Sequence, residues 1–416
     1  MVKTSSILDS FTRVREASLA LIAPLSHEDM VVQSMPDVSP TKWHLAHTTW
    51  FWETFLLGPQ VESYKVFDPQ YNHLFNSYYE RVGARHARAE RGLLTRPGLE
   101  DVLAYRAHVD EAMERLMKSA TQSNLSLWQD LIELGLAHEQ QHQELLLTDI
   151  KHVLSRHPFS PAMFQSVSRG GEGKPIGWVD FSGGVIDFGY NGNGFSFDNE
   201  GPRHQAVLTP FALADRPVTN GEYLEFINDG GYENPLPWLS DGWAKVQSEN
   251  WKSPLYWKNV GDAWREFTLH GEQALDLSAP VVHLSYYEAA AFADWAGARL
   301  PEEREWEHAA TSTSMNQSVS RSEFSPHPKA AREGDGLKEM FGGVWEWTRS
   351  SYSPYPRYKA SKDAVGEYNG KFMCGQFVLK GGSCATPDGH IRATYRNFFP
   401  PEARWQFSGL RLARDI

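Results

Sequence analysis

Two histidines four residues apart, His138 and His142, lie in the run His138-Glu139-Gln140-Gln141-His142-Gln143-Glu144. The surrounding segment, from about Leu127 to Leu154, has a helical period. Leu131, Leu134, His138, His142, Leu145 and Asp149 recur at steps of three or four and so share one face. Most of that face is apolar, so it should point into a bundle and carry both imidazoles inward. Two imidazoles so spaced can hold one metal ion between them. The plainer alternative is a pair of hydrogen-bonded core histidines. A third ligand is sought upstream, in Ser39-Pro40-Thr41-Lys42-Trp43-His44-Leu45-Ala46-His47. Pro40 followed by Trp43, His47, Trp50, Phe51 and Phe55 reads as the start of a second amphipathic helix. His47 shares a face with Trp43, Trp50 and Phe51 and is favoured as the third ligand for these neighbours. His44, nearer the helix start, is the alternative.

Three neutral imidazoles without a thiolate suit Zn, Fe(II) or Cu. Three protein ligands leave coordination positions open, the mark of a catalytic site rather than a structural one. His138-Glu139-x-x-His142 also spells the zinc-protease motif, in which Glu139 would activate a metal-bound water. The continuation does not support that reading. Leu145 and Thr148 stand where the extended motif needs Gly and His, and no acidic ligand occurs from Lys151 to Gly171. The ligand set by itself leaves zinc hydrolysis and iron–oxygen chemistry both open.

The elements that must position these groups follow from the rest of the chain. Its 416 residues allow two or three domains, and 41% hydrophobic with 13% aromatic residues supply a sizeable core. A net charge of −12 with no basic stripe argues against a nucleic-acid partner. Only Cys374 and Cys384 occur, which fits a reducing compartment. No apolar leader and no bilayer-length apolar run is visible, so no membrane partner is expected and the protein reads as soluble and cytoplasmic. Helical periods over Ile7–Ile22, Pro40–Leu57, Leu99–Met117 and Leu127–Leu154 predict an antiparallel four-helix bundle over residues 1–160. Between the second and third helices, Gly58 to Gly98 reads as a long functional loop with Tyr78, Tyr79, Arg81, Arg85, Arg88 and Arg91; its arginines could grip a carboxylate.

From Arg156 to Lys174 the composition shifts to Pro, Ser and Gly, a linker into a different kind of chain. Residues 175–416 read as an irregular α+β domain with an aromatic core. Short strands are expected at Gly184–Phe188, Gln205–Leu208 and Phe377–Lys380, with two or three helices, the clearer ones at Val218–Ile227 and Tyr286–Trp295.

Taken together, these motifs resemble the ergothioneine-pathway sulfoxide synthases, the EgtB or hercynine oxygenase family. In the first half the resemblance rests on Ser39-Pro40 through Trp43-His44-Leu45-Ala46-His47 and on His138, His142 and Glu144. In the second half it rests on Pro217-Val218-Thr219-Asn220-Gly221-Glu222-Tyr223, Ala298-Arg299-Leu300-Pro301, Glu305-Trp306-Glu307, Gly342-Gly343-Val344-Trp345-Glu346-Trp347, Lys380-Gly381-Gly382-Ser383 and Ser408-Gly409-Leu410-Arg411-Leu412. It implies a DinB-like four-helix bundle followed by a C-type-lectin-like domain of the formylglycine-generating-enzyme (sulfatase-modifying-factor) type. It further implies Fe(II) on His47, His138 and His142, with hercynine, a thiol and O2 as small-molecule substrates. The product is a sulfoxide joined through sulfur to C2 of the hercynine imidazole. A homo-oligomer is compatible with this reading. The cysteine pair of the formylglycine-generating enzymes is not carried over, because Cys374 and Cys384 do not follow its spacing. The extra methyltransferase domain of the ovothiol synthases does not follow before Ile416. A selenoneine synthase using a selenosugar shares the architecture and stands as an alternative.

The resemblance also implies substrate contacts. An active-site tyrosine supplies a proton or an electron, and Tyr78 and Tyr79 are the candidates; a phenol near its ordinary pKa is protonated at neutral pH. Gln141, next to His142, would direct its amide beside the metal. Phe398 and Phe399 could face the trimethylammonium group of hercynine, and Asn397 could anchor its carboxylate or the ammonium edge. Arg81, Arg85, Arg88 and Arg91 are candidates for the carboxylate of the sulfur donor. In the branch that uses γ-glutamylcysteine, an acidic residue closely follows the Asn–aromatic pair. Phe399, Pro400 and Pro401 stand there, which favours free cysteine, although Glu402 is near enough to meet the same amine.

Overall fold

In the computed structural model, residues 4–165, 175–261, 263–312, 326–360 and 364–416 are described. They fall into two compact units, residues 1–159 with 361–368, and residues 160–360 with 369–416. The second half of the expected 156–174 linker lies outside the described residues.

Four long helices make the first unit: α1 (Thr4–Ile22), α2 (Thr41–Trp52), α3 (Leu99–Ser119) and α4 (Gln122–Ser155). Helix α2 starts directly after Pro40, whose missing N–H costs nothing at a helix start. It packs on both α3 and α4, and every residue from Thr41 to Trp52 is buried. It is therefore a core helix and not the amphipathic one its sequence suggests. Its polar side chains find partners inside: Lys42 Nζ donates to the carbonyls of Leu94 and Pro97, and the Thr48 and Thr49 hydroxyls to that of Leu45. One π-helical turn, Glu53–Leu57, carries it onward.

Helix α4 is capped by the Thr121 hydroxyl, which accepts from the Asn124 amide. The face expected to be buried needs correction, since Leu131, Leu134 and Leu145 are only half-buried. Because α4 packs on two helices, α1 and α2, its buried arc is wider than one stripe and is rotated from the apolar positions. Glu139 and Gln143 meet α1, while His138, His142 and Asp149 meet α2. At Gly135 the Trp52 indole of α2 lies 2.5 Å from where a Cβ would stand, so only glycine leaves room for that ring. The segment read as one long loop contains a short helix, Tyr71–Phe75, and a 3-10 stretch, Arg88–Leu93.

The second unit has twelve strands among the described residues: β1 (Trp178–Phe181), β2 (Gly184–Phe188), β3 (His204–Leu208), β4 (Phe211–Ala214), β5 (Trp257–Val260), β6 (Ala263–Thr268), β7 (Gly271–Ala274), β8 (Trp345–Ser351), β9 (Phe377–Lys380), β10 (Asn397–Phe399), β11 (Ser408–Gly409) and β12 (Ala413–Asp415). They pair as β1-β4-β12, β10-β9-β8-β11, β2-β3 and β5-β6-β7. Four helices accompany them, more than expected: α5 (Asn220–Asn228), α6 (Ser240–Glu249), α7 (Tyr286–Trp295) and α8 (Glu303–Ser312). Capping boxes at Thr219/Glu222 and Ser285/Glu288 start α5 and α7. Trp306, Trp345 and Trp347 are fully buried, and the Trp306 indole donates to Glu346, which also binds Arg411.

Candidate metal centre

The imidazoles of His47 on α2 and of His138 and His142 on α4 converge. One ligand nitrogen of each lies within 4.8 Å of the others. Helical spacing brings the two α4 rings together, with centroids 4.6 Å apart. The same spacing on α2 stacks His47 between Trp43, 4.6 Å away and nearly parallel, and Trp50, 5.4 Å away. His47 and His138 are buried, and His142 is half-buried.

Hydrogen bonds at the far side of the rings decide which nitrogens face inward. His47 Nδ1 lies 2.6 Å from the Phe75 carbonyl oxygen, which can only accept. The proton is therefore on Nδ1, and Nε2 is bare. Asp149 Oδ2 accepts from the Ser39 amide at 2.8 Å and meets His44 Nε2 at 3.0 Å. With Nε2 donating to that carboxylate, the His44 tautomer that serves a metal-bound His142 has a bare Nδ1. That atom stands 2.9 Å from His142 Nδ1, which then donates and leaves His142 Nε2 bare. His138 Nε2 is 3.2 Å from His47 Nε2, and His138 Nδ1 is buried with no hydrogen-bond partner. Burial first, and electrostatic neighbours second, hold His47 and His142 well below the ordinary imidazole range. Burial puts His138 at about 3. All three are neutral, as ligands must be.

Glu139 is turned away from this cluster. Its carboxylate accepts from Arg15 at 2.9 Å, Arg106 at 2.6 Å and the Ser18 hydroxyl at 2.7 Å, all from α1 and α3. Burial alone would push its pKa up, but Arg106, Arg15 and Ser18 overcome that and hold it at about 2. Both oxygens are engaged on the far side of α4, so the protease-like motif here does not supply a base to the metal side.

Other expected residues fall as follows. Tyr79 is buried against Trp50 and Phe55, and Tyr78 stacks on it at 4.7 Å. The tyrosine ring packed on His138 is that of Tyr368, 5.7 Å away, whose hydroxyl donates to Gln141 Oε1. Sequence reasoning missed Tyr368 because it stands 227 residues from Gln141, with no local pattern linking them. Glu367, its neighbour, accepts from the backbone amides of Glu80 and Arg81. The side chain of Arg85 pairs with Glu80, and that of Arg88 donates to the Asp37 carbonyl. Arg91 alone of the four loop arginines is buried. Its guanidinium lies 3.4 Å over the Trp43 ring and donates to the Ser39 and Ser77 hydroxyls, while its Nε has no partner. Burial lowers its pKa to about 8. Asn397, Phe398 and Phe399 form β10 in the second unit. There Phe398 stacks on Tyr352 at 4.0 Å, and Phe399 meets the edge of Trp405.

Residues 10–146 match the DinB superfamily, and residues 174–333 and 317–416 match the sulfatase-modifying factor enzyme 1-like domain. Fold and site thus define a two-domain protein with a three-histidine cluster able to hold a metal on its helical half and an α+β second half. The chain is 30% identical to the hercynine oxygenase of Mycolicibacterium smegmatis over 100% of both chains. It is 30% identical to that of Mycobacterium tuberculosis, again over 100% of both. It is 27% identical to ergothioneine biosynthesis protein 1 of Schizosaccharomyces pombe, over 53% of this chain and 28% of that protein. The chain belongs to the hercynine oxygenase family.

That family implies iron. Two nitrogen ligands at about 2.1 Å from one ion stand roughly 3.0–3.4 Å apart at octahedral to tetrahedral angles. The 3.2 Å between His47 Nε2 and His138 Nε2 falls in that range. Two bare nitrogens with fixed protons, a third imidazole at ligand distance and no thiolate fit a single iron with open positions.

Proposed function

We propose that this chain is a cytoplasmic, non-haem Fe(II)-dependent sulfoxide synthase that joins the sulfur of free cysteine to C2 of hercynine, using O2, and yields hercynylcysteine sulfoxide. It is an oxidoreductase of ergothioneine biosynthesis, and its substrates are small molecules. The observation that carries the metal assignment is the convergence of His47, His138 and His142 with inward lone pairs, in a chain alignable end to end with hercynine oxygenases. Bound iron supplies dioxygen activation and a position for the thiolate.

The chain's own groups then bind, orient and handle protons. The Gln141 amide, adjacent to His142 and bonded at Oε1 by the Tyr368 hydroxyl, is assigned to orienting substrate. Asn397, Phe398 and Phe399 are assigned to hercynine, the rings to its trimethylammonium group at roughly 0.5–2 kcal/mol per contact. Arg91 is the best of the four arginines for the donor carboxylate, because a buried guanidinium lacking a carboxylate partner gains most from one. Arg81, Arg85 and Arg88 would set the charge around it. Tyr78 and Tyr79 are the proposed proton or electron donors, with Tyr368 added on the strength of its contact with His138. Burial raises the Tyr79 phenol well above its ordinary value, so it holds its proton at pH 7.

The test is anaerobic loading with Fe(II), then oxygen uptake and product mass with hercynine plus cysteine, γ-glutamylcysteine or a selenosugar. One iron per chain, lost in His138→Ala and His47→Ala, and the highest kcat/KM with cysteine are expected. Full iron and turnover in His47→Ala would remove it from the ligand set. A higher kcat/KM for γ-glutamylcysteine overturns the donor, and turnover with the selenosugar alone moves the chain to selenium chemistry.

A further inference from the structure

We propose that His44 and Asp149 are positioning residues of the metal centre: together they keep the proton of His142 on Nδ1 and so hold its Nε2 lone pair toward the ion. The inference rests on the three-histidine reading above. A metal-bound histidine usually donates its other N–H to an acceptor, which fixes ring and tautomer. For His47 that acceptor is the Phe75 carbonyl, which has only one possible role. For His142 it is another imidazole, at 2.9 Å. An imidazole nitrogen can donate or accept, so this contact does not by itself say which ring holds the proton.

Asp149 removes the ambiguity. Its Oδ2 takes the Ser39 amide, an obligatory donor, and the same oxygen meets His44 Nε2. His44 donates there, and a His142 that binds metal through Nε2 carries its proton on Nδ1, so His142 donates and His44 Nδ1 accepts. Reversing the order would put a proton on His142 Nε2 and turn an N–H, not a lone pair, toward His47 and His138. Both positioning side chains are buried, at 3% and 2% exposure, so water cannot readily replace either bond. The start of α2 is thus wired to the ligand helix α4 through Ser39, Asp149, His44 and His142 in sequence.

Co(II) serves as the probe, bound in competition with a chelator and followed by its d–d absorption. His44→Leu and Asp149→Leu should weaken Co(II) by roughly 10–100-fold. His44→Gln can accept from His142 through Oε1 and donate to Asp149 through its amide. Asp149→Asn keeps an oxygen for Ser39 and His44. Both should stay within about threefold of wild type, below the roughly 10–100-fold that loss of such a partner produces. Circular dichroism and melting of the metal-free variants check folding. Independently of any variant, nitrogen-15 NMR of the Zn(II)-loaded wild type should show His142 protonated at Nδ1. Leu variants of wild-type affinity, Gln and Asn variants as weak as the Leu ones, or a protonated Nε2 on His142 each overturn the inference alone. No Co(II) uptake by the wild type overturns the three-histidine reading and this inference with it.

Discussion

Replacing Glu139 by Gln separates two roles that its motif confuses. The side chain is 1% exposed and neutralises two buried guanidiniums, with Asp110 as the other acid of the group. Its pKa is lowered from 4.5 to about 2. That gap corresponds to roughly 3 kcal/mol of stability. For a carboxylate with a depressed folded pKa, the stabilisation is complete above 4.5 and is lost as pH falls through about 2. Glu139→Gln should therefore lose about 3 kcal/mol at neutral pH, in line with the ~3–5 kcal/mol of breaking one side of a buried ion pair. The wild type's advantage over the variant should shrink between pH 4.5 and pH 2. Urea unfolding at pH 7 and at steps down to pH 2 measures both. Below its melting midpoint the variant should keep its iron and most of its kcat, because neither carboxylate oxygen is directed at the histidines. Stability within about 0.5 kcal/mol of wild type, the ordinary range for a surface substitution, would refute the structural role. So would a folded, iron-loaded variant with turnover depressed about 100-fold, the scale expected for loss of a catalytic base.

Gly135→Ala should cost about 1–3 kcal/mol in thermal or urea melts by driving a methyl into the Trp52 indole. Arg91→Met should hold or raise the melting temperature, since a buried guanidinium without a carboxylate partner is removed. The same variant should raise the KM for the sulfur donor at least about tenfold, the scale of one charge-assisted bond, and an unchanged KM would exclude Arg91 as its carboxylate partner. Tyr78→Phe/Tyr79→Phe should depress C–S bond formation and divert turnover to oxidation of the thiol, as judged by product ratios. Tyr368→Phe, assayed alongside, tests whether the ring on His138 shares that role, and unchanged products in both would remove tyrosine from the chemistry.

Much of the site can be read along the chain because it is built on helical periodicity. His138 and His142 fall on one face of α4, and Trp43, His47 and Trp50 on one face of α2, wherever those helices pack. The capping residues and the compositional break after residue 155 are equally local. Legibility ends where one helix meets two neighbours. The rotated buried arc of α4, the burial of α2 on every side and the selection of Arg91 from four arginines are consequences of packing. So is the extra helix at Ser240–Glu249, with only Gly242 and Val246 buried and thus a weak apolar stripe.

The sequence by itself determined the candidate ligand types, their spacing and the family, since backbone geometry makes residues four apart neighbours regardless of context. Only the tertiary structure decided which atom of each ligand is available and what its neighbours do. Glu139, in the middle of a metalloprotease pattern, turns to Arg15 and Arg106, and His44, a rival third ligand, stands behind His142. Tyr368 arrives from more than two hundred residues away. Proton positions and ion pairs depend on distances of about 3 Å between groups far apart in the chain, and those distances exist only once the helices have packed.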